Sequence, residues 1–139
     1  MKNIIIFFIF FFTQFNSSIA SDRNIQLNKL FQELKDINSN LVFQTEQKIW
    51  KLWSTHPTNN KLTARLEEGS QFVRDQNYLK AIEVFTEVIN LDKNWAEAWN
   101  KRATVFYLIG EFQDSQNDID KVLALEKRHF GALAGQGLV

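Results

Sequence analysis

The sequence predicts an all-α protein, an α-solenoid in which antiparallel helical hairpins stack against one another. Two observations support this fold class. The chain has one proline and five glycines among its 139 residues, so few positions interrupt a helix. When the chain is compared with itself at a shift of 34 residues, small side chains align with small ones and apolar side chains with apolar ones. A fixed period of this length indicates a repeated two-helix unit.

The repeat is clearest between residues 62–95 and 96–129. Gly69 aligns with Ala103, which marks a place where two helices approach closely. The other recurring pairs are Phe72 with Phe106, Tyr78 with Phe112, Ala81 with Ser115, Phe85 with Ile119, Val88 with Val122, Ile89 with Leu123, and Leu91 with Leu125. Within each copy these residues fall at helical spacing, so every predicted helix has an apolar stripe to bury.

These residues resemble the tetratricopeptide repeat (TPR) family, whose unit is 34 residues folded as two antiparallel helices. The matching residues are Gly69, Phe72, Tyr78, Ala81 and Phe85 in the first copy, and Trp99, Ala103, Phe106, Gly110, Phe112, Ser115 and Ile119 in the second. Two features depart from the family pattern. Lys93 and Lys127 replace its closing proline, and Arg65 stands where the family prefers an aromatic residue. The resemblance implies a right-handed superhelix of TPR-like hairpins.

Residues 1–20 have the features of a secretory signal peptide. Lys2 precedes an unbroken apolar run from Ile4 to Phe12, and the segment ends with small residues at Ser18 and Ala20. Because signal peptidase needs small residues at these positions, we predict cleavage after Ala20. The apolar run is far shorter than the about 20 residues that span a bilayer, and a retained anchor is the alternative. We expect export to a bacterial periplasm, with contact to the membrane only through the signal peptide; secreted or membrane-anchored forms are the alternatives.

Two segments flank the repeats. Residues 21–58 are predicted to form an irregular N-terminal hairpin, with helices at 24–37 and 41–53, in which Trp50 and Trp53 belong to a core or a cap. The segment 130–139 begins a third repeat in phase, contains three glycines and has no charged residue. Three explanations stay open for it: a fragment of a longer repeat protein, which we favour, self-association through this end, or a loosely ordered end.

The residues that usually carry catalysis or metal binding are sparse. The absence of cysteine excludes disulfides, thiolate metal sites and cysteine nucleophiles. His56 and His129 are isolated in predicted loops, so we expect them to be ordinary surface residues. Asp114, Asp118 and Asp120 share one predicted helix and are expected to form a solvated acidic face. We therefore expect no cofactor, metal or small-molecule substrate. The balance of 16 basic and 16 acidic residues argues against nucleic acid as a partner.

The family resemblance implies a partner-binding groove lined by the first helix of each hairpin. Matching positions assign to this groove Leu66, Ser70, Val73 and Arg74 from the first copy, and Asn100, Thr104, Tyr107 and Leu108 from the second. Such a mixed surface suits an extended peptide or a partner helix. We expect a non-catalytic scaffold or adaptor for protein–protein interaction. The alternatives are a membrane-tethered assembly factor and a non-catalytic subunit of an enzyme complex.

Overall fold

The computed structural model describes residues 21–35 and 39–138, and this part of the chain is all helical, as predicted. Its helices are α1 (21–35), α2 (Ser39–Ser54), α3 (Asn60–Arg74), α4 (Tyr78–Leu91), α5 (Ala96–Leu108), α6 (Phe112–Leu125) and α7 (Phe130–Gln136). The predicted signal peptide lies outside the described residues. Among the helices just given, none is both long enough and apolar enough to cross a membrane.

The chain divides after Asn60 into two compact units. In the first unit, α1 and α2 contribute buried apolar side chains from Leu27, Ile49 and Trp53. The rings of Trp50 and Trp53 are nearly perpendicular, and their centroids are 5.5 Å apart. Both helices differ slightly from their predicted bounds, since α1 begins three residues earlier and α2 extends to Ser54.

The second unit begins with a hairpin of α3 and α4. Gly69 of α3 lies against the buried ring of Phe85, so closely that a β-carbon at residue 69 would come within 2.4 Å of a ring carbon. Arg65, which replaces the family's aromatic residue, instead bonds across the hairpin, with its Nη2 2.6 Å from Oε2 of Glu87. The hydrogen bonds that Arg65 donates to Glu87 and, next in importance, to Glu68 raise the pKa of Arg65 above its usual value.

Helices α5 and α6 repeat this packing one 34-residue repeat further along the chain. Helix α5 packs against α4 and α6, and α7 packs against α6 and α5. The hydroxyl of Ser115 donates a hydrogen bond of 2.9 Å to the carbonyl of Ala103, so α5 and α6 cross at two small residues. Ala103, Ile119, Val122 and Ala132 form the buried apolar cluster of this region.

The two hairpin turns have the same geometry. Gln76 (φ 59°) and Gly110 (φ 84°) occupy the left-handed region and stand 34 residues apart. In each turn the following amide bonds back five residues, from Asn77 to the Phe72 carbonyl at 2.8 Å and from Glu111 to the Phe106 carbonyl at 2.9 Å. This is a Schellman ending, in which glycine is favoured because it has no β-carbon. The turns therefore recur with the same 34-residue period as the helices they connect.

A buried ion pair connects three helices and corrects the expectation of a solvated acidic face. Asp118 on α6 is 4% exposed and accepts two hydrogen bonds of 2.8 Å from Arg102 on α5. Arg102 also donates to the hydroxyl of Thr86 on α4 at 2.9 Å. Asp114 and Asp120 remain exposed.

His56 also corrects an expectation, since it is buried rather than an ordinary surface residue. Its Nδ1 accepts hydrogen bonds from the backbone amides of Thr58 at 3.3 Å and Asn59 at 3.0 Å. These amides lie just before α3, where backbone donors have no helical partner. The imidazole therefore provides the hydrogen-bond acceptor for the backbone amides that precede α3. This role was not predicted from the sequence.

Candidate functional site

A cavity of about 180 Å³ opens where α5, α6 and α7 meet. Its walls carry no charged side chain, and they mix small, hydroxyl, amide and apolar groups. They are formed by Asn100, Ala103, Thr104, Tyr107, Ser115, Ile119, Gly131, Ala134, Gly135 and Leu138. Three of the eight residues predicted to line a groove therefore meet at one place, and α7 supplies the wall opposite them.

On the α5 side, hydrogen bonds to neighbouring groups hold the polar side chains in place. The Asn100 amide nitrogen donates to Oε2 of Glu97 at 3.3 Å, and Asn100 is 8% exposed. The hydroxyl of Thr104, one turn further, donates to the Asn100 carbonyl at 3.0 Å. The exposed ring of Tyr107 leans on the ring of Phe112 at a centroid distance of 5.6 Å. This wall changes from polar to aromatic along the length of α5.

On the α7 side, the wall is made almost entirely of backbone and methyl groups. Gly131, Ala134 and Gly135 follow at helical spacing, so α7 presents no bulky side chain to the cavity; Leu138, which follows the helix, is the one large side chain on this wall. A β-carbon at residue 135 would come within 3.1 Å of Cδ1 of Ile119. The small residues therefore allow α7 to approach α6 closely while leaving the cavity open.

A buried pair fixes the start of α7 to the start of α5. The side chains of Glu97 and His129 are both fully buried, and Nε2 of His129 lies 3.0 Å from Oε2 of Glu97. Nδ1 of the same ring accepts a hydrogen bond of 3.2 Å from the amide of Ala132, which caps α7. Because Nδ1 is an acceptor, the ring proton lies on Nε2 and is donated to Glu97.

This pair corrects the second expectation about histidine, since His129 is not a surface residue. The other carboxyl oxygen of Glu97 lies 3.4 Å from Nζ of Lys101, an ion-pair distance without hydrogen-bond geometry. The pair orients the helix entries beside the cavity and has no substrate-facing atom, so its role is structural.

The loop that leads into α7 contains a second polar pair. The guanidinium group and the backbone amide of Arg128 both bond to the Glu126 carboxylate, at 2.8 Å and 3.0 Å respectively. Burial tends to raise the pKa of Glu126, but the hydrogen bonds from Arg128 outweigh it and the pKa is lowered. The pKa of Arg128 is raised, mainly by the side-chain hydrogen bond that it donates to Glu126.

The remaining predicted groove residues lie elsewhere. Leu66 is 2% exposed in the apolar core of the first hairpin, so its side chain is not available to a partner in this structure. Val73 packs beside the same core, while the hydroxyl of Ser70 donates to the Leu66 carbonyl at 3.1 Å. Arg74 is exposed and pairs with Glu67 on its own helix at 2.7 Å. Leu108, from the second copy, is 48% exposed outside the cavity wall.

The titratable side chains common in acid–base and metal sites are absent from the cavity wall, apart from the phenol of Tyr107. No carboxylate, imidazole or amine is among its lining residues. Elsewhere in residues 21–35 and 39–138, no three acidic or histidine side chains come together as metal ligands. Sequence reasoning missed the α7 wall, although the absence of charge from 130–139 was visible in the sequence.

Comparison with known proteins agrees with the repeat architecture. No family model matches the chain. A TPR repeat-containing protein of Rhizobium etli is 30% identical over 123 residues, covering 86% of this chain and 59% of that protein. Sperm-associated antigen 1 of Rattus norvegicus is 31% identical over 87 residues, covering 58% of this chain and 10% of that protein. The chain thus spans less than two thirds of the length of these curated relatives.

The relatives, the period and the structure give the same assignment. The 34-residue period coincides with two successive helical hairpins, and the turns of both hairpins have the same backbone geometry. The relative from Rhizobium etli is itself described by its repeat. The chain belongs to the tetratricopeptide repeat family.

Proposed function

We propose that this protein is a non-catalytic interaction scaffold that binds an extended peptide segment of a protein partner, with one uncharged apolar side chain of the peptide in the cavity between α5, α6 and α7. Tetratricopeptide repeats in general mediate protein–protein interaction, and the repeat-containing relative supports that role here. The single observation that carries the finer proposal is the wholly uncharged lining of this cavity.

The size of the cavity favours a side chain over a small molecule. Small-molecule sites usually enclose about 300–1,000 Å³, and this cavity measures about 180 Å³. An apolar side chain gains free energy on leaving water for such a site, whereas a carboxylate would lose its hydration without meeting a cation. We expect the oxygen atoms of the Thr104 hydroxyl and the Asn100 amide, two groups in the cavity wall, to accept hydrogen bonds from the peptide backbone.

A random-peptide display library, panned on the purified chain, tests this proposal. We expect enriched peptides to share one apolar residue at a fixed position, and to lose binding at least tenfold when Ala134→Leu fills the cavity. Ala134 is exposed, so this change leaves the apolar core intact. Ala124→Leu is the matched control, because Ala124 is also exposed, lies on α6 and does not line the cavity.

Two results would contradict the proposal. One is a set of enriched peptides that bind Ala134→Leu as tightly as the unchanged protein. The other is a requirement for a free carboxylate at the end of the peptide, since the cavity offers no cation to pair with it. Circular dichroism of both variants checks that a loss of binding is not a loss of fold.

Export is a separate part of the proposal and rests on residues 1–20 alone. We propose that the leader directs the chain to the periplasm and is removed after Ala20. N-terminal sequencing of the protein from a fractionated bacterial host should begin at Ser21. Recovery of the intact leader in the membrane fraction would instead indicate a tethered assembly factor.

A further inference from the structure

A second surface, independent of the cavity, lies in the first unit along the hairpin of α1 and α2. Two adjoining hollows of about 520 Å³ and 360 Å³ run between these helices and share Lys29, Glu33 and Lys48 as walls. Leu30 and Leu52 form the apolar floor of the larger hollow. We call this continuous feature the hairpin groove.

The dimensions of the hairpin groove match those of a helix. Leu41 lines one end of it and Thr55 the other. These residues are 14 positions apart on or next to α2, which corresponds to roughly 21 Å at about 1.5 Å per residue. A groove of this length between two antiparallel helices has the shape into which the side-chain ridge of a third helix packs.

The charges along the hairpin groove are mostly of one sign. Lys29 from α1 and both Lys48 and Lys51 from α2 line it, against the single carboxylate of Glu33. All three lysines are exposed, and their ammonium groups make no ion pair or hydrogen bond to any other part of residues 21–35 and 39–138. Lysine stems can lie along apolar surface while their charged ends reach acidic groups at its margins.

The buried core of the α1–α2 hairpin is formed by residues other than those that line the hairpin groove. Leu27, Ile49 and Trp53 are 0–3% exposed, whereas the floor residues Leu30 and Leu52 are only partly covered. Both floor residues are leucines flanked by lysines, a pattern that complements an apolar stripe bordered by acidic residues. Helix-in-groove binding of this kind is a common mode of peptide recognition.

We propose that the hairpin groove binds an amphipathic helix of a protein partner, whose apolar stripe contacts Leu30 and Leu52 and whose flanking Asp or Glu residues pair with the three lysines. Nucleic acid fits less well, because Glu33 lies within the groove and the chain has a formal net charge of zero. A membrane surface also fits less well, since a recessed groove presents its lysines around a hollow rather than on a protruding face.

The test uses three fluorescein-labelled probes and fluorescence anisotropy with the purified full chain. The first probe, the acidic peptide, is a 14-residue helical peptide with leucines at positions i, i+3, i+4 and i+7 bordered by glutamates. The second, the basic peptide, has lysines in place of the glutamates. The third is a single-stranded oligonucleotide. We expect the acidic peptide to bind at least tenfold more tightly than the basic one, and less tightly as salt is raised.

The double variant Lys48→Glu/Lys51→Glu should reverse the order of the two peptides. Its matched control is Lys93→Glu/Lys121→Glu, which makes the same change in net charge at exposed lysines outside the groove and should keep the original order. Equal binding of the acidic peptide by both double variants would overturn the proposal. Two other results would also overturn it: an oligonucleotide, or vesicles of anionic phospholipid, could bind as tightly as the acidic peptide. In either case the binding would have to be lost in Lys48→Glu/Lys51→Glu and kept in the control variant.

Discussion

The contact between Gly69 and Phe85 gives the sharpest test of the packing. In Gly69→Ala the new β-carbon would lie 2.4 Å, 2.8 Å and 3.0 Å from three ring carbons of Phe85. Ordinary carbon contacts begin at about 3.5 Å, so the ring must move by roughly 1 Å. Because Phe85 is fully buried, that movement displaces its neighbours as well.

Two effects of opposite sign decide the outcome of this substitution. Replacing glycine by alanine inside a helix favours folding by about 1 kcal/mol. Overpacking a well-filled core costs about 1–3 kcal/mol, and the distances at residue 69 lie at the severe end. We expect a net loss of about 1–2 kcal/mol, seen in circular dichroism at 222 nm as a fall in Tm of about 3–10 °C.

Two further variants isolate the cause. Gly137 stands two 34-residue periods after Gly69. In Gly137→Ala the added β-carbon would have no neighbouring atom nearer than 3.5 Å, so the change in stability should be less than about 0.5 kcal/mol. In Gly69→Ala/Phe85→Leu the smaller side chain should remove the clash, so the double variant loses less than the sum of the single variants. A Tm for Gly69→Ala equal to or above that of the unchanged protein would refute the packing of α3 on α4.

Three other predictions concern single polar or backbone features. His129→Ala removes the cap of α7 and leaves Asn100 as the remaining hydrogen-bond donor to the buried carboxyl of Glu97, so we expect a loss of about 3 kcal/mol in denaturant unfolding. Glu97→Gln keeps an acceptor for Nε2 of His129 and should cost less, and the reverse order would argue against the pair. The lowered pKa of Glu126 means that its pairing with Arg128 stabilises the fold above the usual glutamate value of 4.5, and that this contribution is lost as pH falls through the lower folded-state pKa. The Tm of Glu126→Gln should therefore lie below that of the unchanged protein at pH 7 and meet it in acid; a constant gap would contradict this. Gln76→Gly should raise stability by about 1 kcal/mol in thermal unfolding, because φ is 59° there and glycine relieves the strain; a decrease would mean that the turn is not left-handed.

Much of the fold could be predicted because its determinants are local and repeated. Apolar stripes at helical spacing specify helices, and the 34-residue period specifies which helices form a hairpin. The pairing of small residues also carried tertiary information, since Gly69 and Ala103 do lie where helices approach closely. The turns at Gln76 and Gly110 recur with the same period.

The candidate site was only partly predictable. Three residues assigned to a groove by their position within the repeat, Asn100, Thr104 and Tyr107, line one cavity in the structure. The same rule assigned Leu66 to a groove, but its apolar side chain is buried in the core of the first hairpin. A leucine at a repeat position is compatible with either environment, and the choice depends on which neighbours cover it.

By itself, then, the sequence determined the helices, their hairpin pairing and the uncharged character of the segment that begins at Phe130. The tertiary structure alone decided the partners of polar groups that are distant in the chain. Arg102 and Asp118 are 16 residues apart, and Glu97 and His129 are 32 apart. A side chain's charge and hydrogen-bonding groups are written in the sequence, but whether water or another side chain satisfies them depends on which helices pack together.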